Sequence, residues 1–191
     1  ELFTMDELIS EFSLEKVSKS GAKFDVQKAF WFNHQYLQNS SIEDITEKCK
    51  IELNKKQIET TDSYLNTVIS LMREKVNFPK EIISEGLYFF KDPESFDSSV
   101  VEKKWKKEFV PQVLTQVKNE LEALNDFSAA SIEQTFNKVI NEQGRKTGEI
   151  MQVFRLSISG VGGGPPIFEM ASLLGKETII RRMNFCLETL K

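Results

Sequence analysis

The chain has 191 residues, 40% hydrophobic and 28% charged, the make-up of an ordinary globular protein with room for one medium domain or two small ones. A net charge of −4 excludes a generic polyanion binder, so any nucleic-acid surface must be a local basic patch. No apolar run approaches the about 18 residues that a bilayer crossing needs, and no signal peptide is visible.

The start at Glu1 rather than a methionine suggests a piece cut from something longer. Helical signals then dominate. Thr4-Met5-Asp6-Glu7 is a capping box. The run Lys16-Val17-Ser18-Lys19-Ser20 differs by one apolar residue from KMSKS, the ATP-contacting loop of class I aminoacyl-tRNA synthetases. Only 15 residues precede Lys16, with no parallel-sheet pattern and no HIGH motif anywhere, so the run fails as a catalytic loop and no catalytic residue is assigned. Asp25 caps a helix through VQKAFWFNHQYL, and Ser41 caps one whose Ile42, Ile45, Cys49 and Leu53 share a face. Asp62 opens a helix that should stop before Phe78-Pro79.

Residues 91–99, KDPESFDSS, are rich in turn formers and mark a candidate subdomain boundary. A long helix follows, interrupted or kinked at Pro111. Ser131-Ile132-Glu133-Gln134 reads as a second capping box, leading Ile132, Phe136, Val139 and Ile140, with Gly144 as a C-terminal cap. QVFRLSISG, residues 152–160, alternates apolar and polar residues as a strand would, although the preceding EIM also allows a helix.

Few residues carry chemistry. The glycines of GVGGGPP miss the dinucleotide spacing because Pro165 stands at the sixth position. Leu174-Gly175-Lys176-Glu177 puts a carboxylate where a Walker A loop needs a hydroxyl. His34 is the single histidine, without a partner for a metal site; it reads as a helix-face residue at a surface or seam. Cys49 and Cys186, far apart and outside any CxxC, read as two reduced thiols. Lys103-Lys104-Trp105-Lys106-Lys107 reads either as a phosphate-contacting or stacking cluster, or as a solvated helix face with one buried tryptophan.

Several stretches together resemble the C-terminal region of bacterial glutamyl-tRNA synthetases. EFSLEKVSKSGAKFDVQKAFWFNHQYL matches that family's segment at Phe24, Asp25, Lys28, Trp31, Asn33 and Tyr36. LMREKVNFPKEIISEGLYFF resembles its anticodon-reaching helix. GEIMQVFRLSISG and PPIFEMASLLGKETIIRRMN resemble its closing helices. The resemblance implies an all-α fold, a helical bundle followed by a second helical subdomain, and turns QVFRLSISG into a helix. It implies the end of a tRNA-stem-contacting region over residues 1–38, a first anticodon-binding subdomain over 39–90 and a second over 91–191.

By position it implies anticodon contacts from Lys75, Arg155, Gly164, Pro165, Pro166 and Ile167. Arg73, Lys103, Lys104 and Lys107 are candidate RNA-backbone contacts. Lys75 stands where many members have Arg, Gly164 where Thr is frequent, and Phe154 where proline is usual. The residues agree with such a site. Glycines let a nucleotide approach the backbone, and the Pro-led helix at Ile167 offers N–H groups to base-edge or phosphate acceptors. On the residues alone, Arg155 reads as the partner of a carboxylate between helices, and GVGGGPP as an ordinary loop.

The implied function is tRNA(Glu) recognition by a monomeric, cytoplasmic glutamate–tRNA ligase. ATP and Mg²⁺ belong to a catalytic domain outside this sequence, and neither a cofactor, a metal, DNA nor a membrane is engaged by this part. The competing reading is a free-standing all-α protein-interaction module with no RNA role.

Overall fold

A computed structural model describes residues 2–17, 19–21 and 23–190. Ser18 of the synthetase-loop lookalike and Ala22 of the GAKFD run lie outside the described residues. The described residues are helical, with no strand among them.

Helix α1, Met5–Glu11, starts with the expected capping box: Thr4 Oγ accepts from Glu7 N at 3.3 Å and Glu7 Oε2 accepts from Thr4 N at 2.7 Å. It buries nothing, and Met5, Ile9 and Phe12 are exposed. Lys16 is ion-paired to Glu11 at 3.1 Å. Helix α2, Val26–Asn39, is capped by Asp25. Helix α3, Ile42–Lys55, is capped by Ser41 and buries Ile45, Cys49 and Leu53 on the face that the 3.6-residue period selects. It packs against α4, Asp62–Met72, and α5, Pro79–Glu85. Asp62 opens α4 as expected, and Thr61 caps it, its hydroxyl accepting from Tyr64 N at 3.3 Å. Phe78-Pro79 begins α5 with proline in the first turn, where its missing N–H costs nothing.

Residues 91–97 connect to a short helix α6, Ser98–Val100, which runs into a π-helical turn, Val101–Trp105. The expected interruption falls ahead of Pro111: the chain turns at 106–109, and Pro111 sits in the first turn of α7, Val110–Ala123. Helix α8, Ala129–Glu142, corrects the second expected capping box. Ser128, not Ser131, is the cap and accepts from Ser131 N at 3.3 Å, while Asp126 Oδ2 takes both hydroxyls. Gly144, at φ +60°, follows the helix end as expected.

QVFRLSISG lies in α9, Thr147–Ser159. Its polar positions suit a buried helix because Ser157 and Ser159 donate back to the carbonyls of Phe154 and Arg155, at 2.7 and 2.8 Å. Helices α10, Ile167–Leu174, and α11, Lys176–Thr189, close the chain. Phe136 of α8 centres the second half, 5.2 Å from the Phe154 ring and 5.7 Å from Phe168. Lys176 donates to the Glu122 and Leu124 carbonyls, at 2.9 and 2.7 Å, and so caps the end of α7. The Cys49 and Cys186 thiols are free, and burial pushes both up to about 12. No helix of the described residues is long and apolar enough to cross a membrane.

One buried guanidinium ties the parts. Arg182 of α11 is 3% exposed. It donates to Asp92 Oδ1 at 2.8 Å, to the Ile158 carbonyl at 2.8 Å and to the Lys91 carbonyl at 3.1 Å. Arg181 holds the same carboxylate bidentately at 2.9 and 3.0 Å, which lowers the Asp92 pKa.

Arg182→Ala should therefore lower stability by about 3 kcal/mol in urea unfolding, since two carbonyls and part of a carboxylate lose their donor. A loss below about 1 kcal/mol, the value of one ordinary hydrogen bond, would deny the clamp its role. The depressed Asp92 pKa contributes stability above the unfolded carboxylate pKa, and this is lost as pH falls through the folded value. Asp92→Asn should accordingly flatten the acid limb of the stability–pH curve below about pH 4.

Candidate anticodon-reading site

The loop that follows α9 is built around four glycines with distinct tasks. Gly160 ends the helix at φ +78°, and a Cβ there would lie 2.6 Å from the Ser95 carbonyl oxygen and 2.8 Å from Pro93 Cβ. Its own carbonyl accepts from Asp97 N at 2.8 Å, so the loop is stitched to the 91–97 connection. Gly162 is packed against Val100, 2.6 Å from the place of its missing Cβ. Gly163 faces open space. Gly164 adopts φ +142°, with Tyr88 Oη 2.9 Å and Arg155 Nη1 3.1 Å from where a Cβ would stand.

Arg155 projects from the third turn of α9 toward this loop and is half-buried. No carboxylate pairs with it among the described residues, which removes the interhelical ion-pair reading. Its Nη1 is buried and has no hydrogen-bond partner. Burial lowers its pKa from the ordinary guanidinium value. Arginine keeps its charge even so, leaving a cation with an unmet donor. Tyr88 is buried in the 3₁₀ turn Leu87–Phe89, and its hydroxyl donates to the Met72 thioether at 3.5 Å. Burial pushes that hydroxyl up to about 12. A cavity of about 550 Å³ opens beside Tyr88, between segment 91–97 and residues 159–161.

The other expected site residues fall around this centre. Lys75 is exposed in a 3₁₀ turn, Arg73–Lys75, directly after Met72, so it shares the end of α4 that touches Tyr88. Pro165 and Ile167 are buried, Gly164 and Pro166 exposed, and no side chain caps the start of α10. Ile167 can therefore offer its backbone more readily than its side chain. The turn bearing Lys103 and Lys104 packs beside α9, with Lys103 and Lys107 exposed and Lys104 half-buried. Trp105 is buried, and its ring N–H donates to the Leu190 carbonyl, so it is no stacking platform.

Arg73 is placed differently. Its Nη2 donates to the Leu37, Gln38 and Ser40 carbonyls and its own carbonyl accepts from Gln38, fastening the end of α2. His34 meets the Val76 carbonyl through Nδ1 at 2.9 Å across the same seam. Sequence reading singled out neither Tyr88 nor Arg145. Tyr88 stands in LYFF with nothing to distinguish it from its aromatic neighbours, and Arg145 reveals itself only by lying 3.8 Å over the Phe109 ring.

A family model described as an anticodon-binding domain matches residues 34–187. The chain belongs to that anticodon-binding domain family. It is 39% identical to a glutamate–tRNA ligase of Cytophaga hutchinsonii over all of its own length and 37% of the relative's. It is also 39% identical to a glutamate–tRNA ligase of Chlorobaculum parvum, covering 96% of this chain and 38% of that protein. A solved glutamate–tRNA ligase from Elizabethkingia meningosepticum, in complex with its amino acid, superposes with a TM-score of 0.88 at 37% identity. That match covers 99% of this chain and 37% of the other. The chain thus spans somewhat over a third of the length of these relatives. The family expectation and the all-α fold both hold, and the family match includes the Arg155 loop and the α4 end.

Arg73 serves as a test of how the seam is built. Arg73→Ala should cost about 1–2 kcal/mol and speed amide exchange at the end of α2, because three carbonyls lose one charged donor. Unchanged exchange there would contradict the capping role.

Proposed function

We propose that this chain is the anticodon-recognition region of a glutamate–tRNA ligase. In this reading the whole protein activates glutamate with ATP and transfers it to tRNA(Glu) in the cytoplasm, acting as a monomer on RNA rather than DNA. The observation that carries the proposal is Arg155, a charged guanidinium held half-buried beside an exposed glycine loop, with a donor that no protein group takes up. An unmet charged donor of this kind is costly unless a ligand completes it. RNA sequence is read from splayed loop bases, which an anticodon presents and which can approach a backbone without side chains.

Family membership and the likeness to glutamate–tRNA ligases support the same reading. Lys75, the N–H groups at the start of α10, and Lys103, Lys104 and Lys107 supply further contacts around Arg155, the lysines toward phosphates. Arg73 contributes by holding α2 through its guanidinium, whose Nη2 is thereby committed to protein carbonyls rather than to RNA.

The residues present do not build a site for ATP and Mg²⁺. Lys16 is paired to Glu11, the Lys176 ammonium caps α7, and no sheet stands beside Lys19 among the described residues for a nucleotide loop to close over. Nucleotide chemistry belongs to the part of the protein outside this chain.

Titrating tRNA(Glu) into the chain should give binding that weakens as salt rises from about 50 to about 200 mM, because phosphate contacts release counterions. Arg155→Ala should reduce affinity about tenfold, the worth of a lost charged hydrogen bond. In the full enzyme the same change should raise KM for tRNA and leave glutamate-dependent pyrophosphate exchange nearly intact. Absence of binding at either salt concentration would favour the protein-interaction reading, and equal loss of both activities would make Arg155 structural.

A further inference from the structure

The polar pair at Gly164 carries the argument one step further, resting on the RNA reading above. Gly164 has no side chain, and two polar atoms crowd the place where a Cβ would stand: Tyr88 Oη at 2.9 Å and Arg155 Nη1 at 3.1 Å. A Cβ would be too close to both, so only glycine lets the two groups lie together against the loop backbone. The two groups come from opposite halves of the chain, one from the turn after α5 and the other from α9. Only the packing of these elements brings them together.

The protein leaves one of these groups unmet and bonds the other only weakly. Arg155 Nη1 has no partner. The Tyr88 hydroxyl donates to a thioether at 3.5 Å, a weak acceptor, and both lone pairs of its oxygen remain open. Tyr88 is 6% exposed, so phenylalanine would fill the same space without the cost of burying a hydroxyl. The hydroxyl therefore needs a purpose that packing does not supply.

We propose that Tyr88 is a specificity-determining residue that reads one splayed nucleobase together with Arg155. The guanidinium donates to an acceptor on the base's Watson–Crick edge, and the Tyr88 oxygen accepts from the amino or ring N–H beside it. A base edge carries an acceptor next to a donor; a phosphate carries acceptors alone and suits only the arginine. The positive φ and missing Cβ of Gly164 let both groups stand against the loop backbone.

The test uses tRNA(Glu) and a matched RNA lacking the bases at its three anticodon positions, titrated into the chain and its variants over a range of salt. Tyr88→Phe should bind tRNA about fivefold to tenfold more weakly, as for one lost hydrogen bond, with an unchanged slope of log affinity against log salt. The loss should vanish with the abasic RNA. Gly164→Ala, whose Cβ would displace Tyr88 Oη and Arg155 Nη1, should give a loss of similar size. Thermal unfolding of Tyr88→Phe should show a melting temperature no lower than that of the unaltered chain.

Unaltered affinity in Tyr88→Phe, alongside weakened binding by Arg155→Ala, would overturn the role of Tyr88 and leave the RNA reading standing. An equal loss with the abasic RNA would make the hydroxyl structural and overturn the proposal. Failure of the unaltered chain to bind tRNA(Glu) would overturn the RNA reading and this role with it.

Discussion

The Arg182 guanidinium is the constraint on which the arrangement rests. A buried cation is tolerated only where acceptors surround it, and here a carboxylate and two main-chain carbonyls do so. Those acceptors come from the start of the 91–97 connection and from the last turn of α9. Satisfying one arginine therefore fixes where α9 ends, where its loop begins and how the connection lies against Gly160. Tyr64 reinforces the joint by donating to the Phe89 carbonyl at 2.7 Å, in the turn that carries Tyr88.

Arg155, three residues before Ile158, is treated oppositely. The scaffold that meets Arg182 in full leaves Arg155 with a buried nitrogen that nothing accepts from. Tyr88 stands beside it at Gly164. Rigid surroundings, an exposed glycine loop and an incomplete donor set are the ingredients of a preorganised recognition site: the cost of ordering the groups is met in folding and not at binding.

Much of the fold was legible because caps and periodicity are local. Thr4, Asp25 and Ser41 act through hydroxyl or carboxylate contacts within three residues, and Ile45, Cys49 and Leu53 follow the 3.6-residue period. Misreadings and ambiguities arose where two local solutions compete. Ser128 and Ser131 are both caps by composition, and Asp126, which binds both hydroxyls, accompanies capping at the earlier one. QVFRLSISG alternates like a strand because its serines are buried, and their bonding back to helix carbonyls cannot be seen in a pattern of polarity. The candidate site was legible by resemblance in Arg155 and the glycine loop. Tyr88 was not, since its significance lies in a contact between residues 88, 155 and 164 that no spacing announces.

The contrast between the two arginines can be measured directly. With arginine side chains labelled with ¹⁵N, an RNA hairpin carrying the tRNA(Glu) anticodon loop would be titrated into the chain and the guanidinium signals followed by NMR. The account predicts that the Arg155 signal shifts and becomes protected from solvent exchange while the Arg182 signal stays in place. An unmoved Arg155, or Arg155 and Arg182 shifting together, would contradict it.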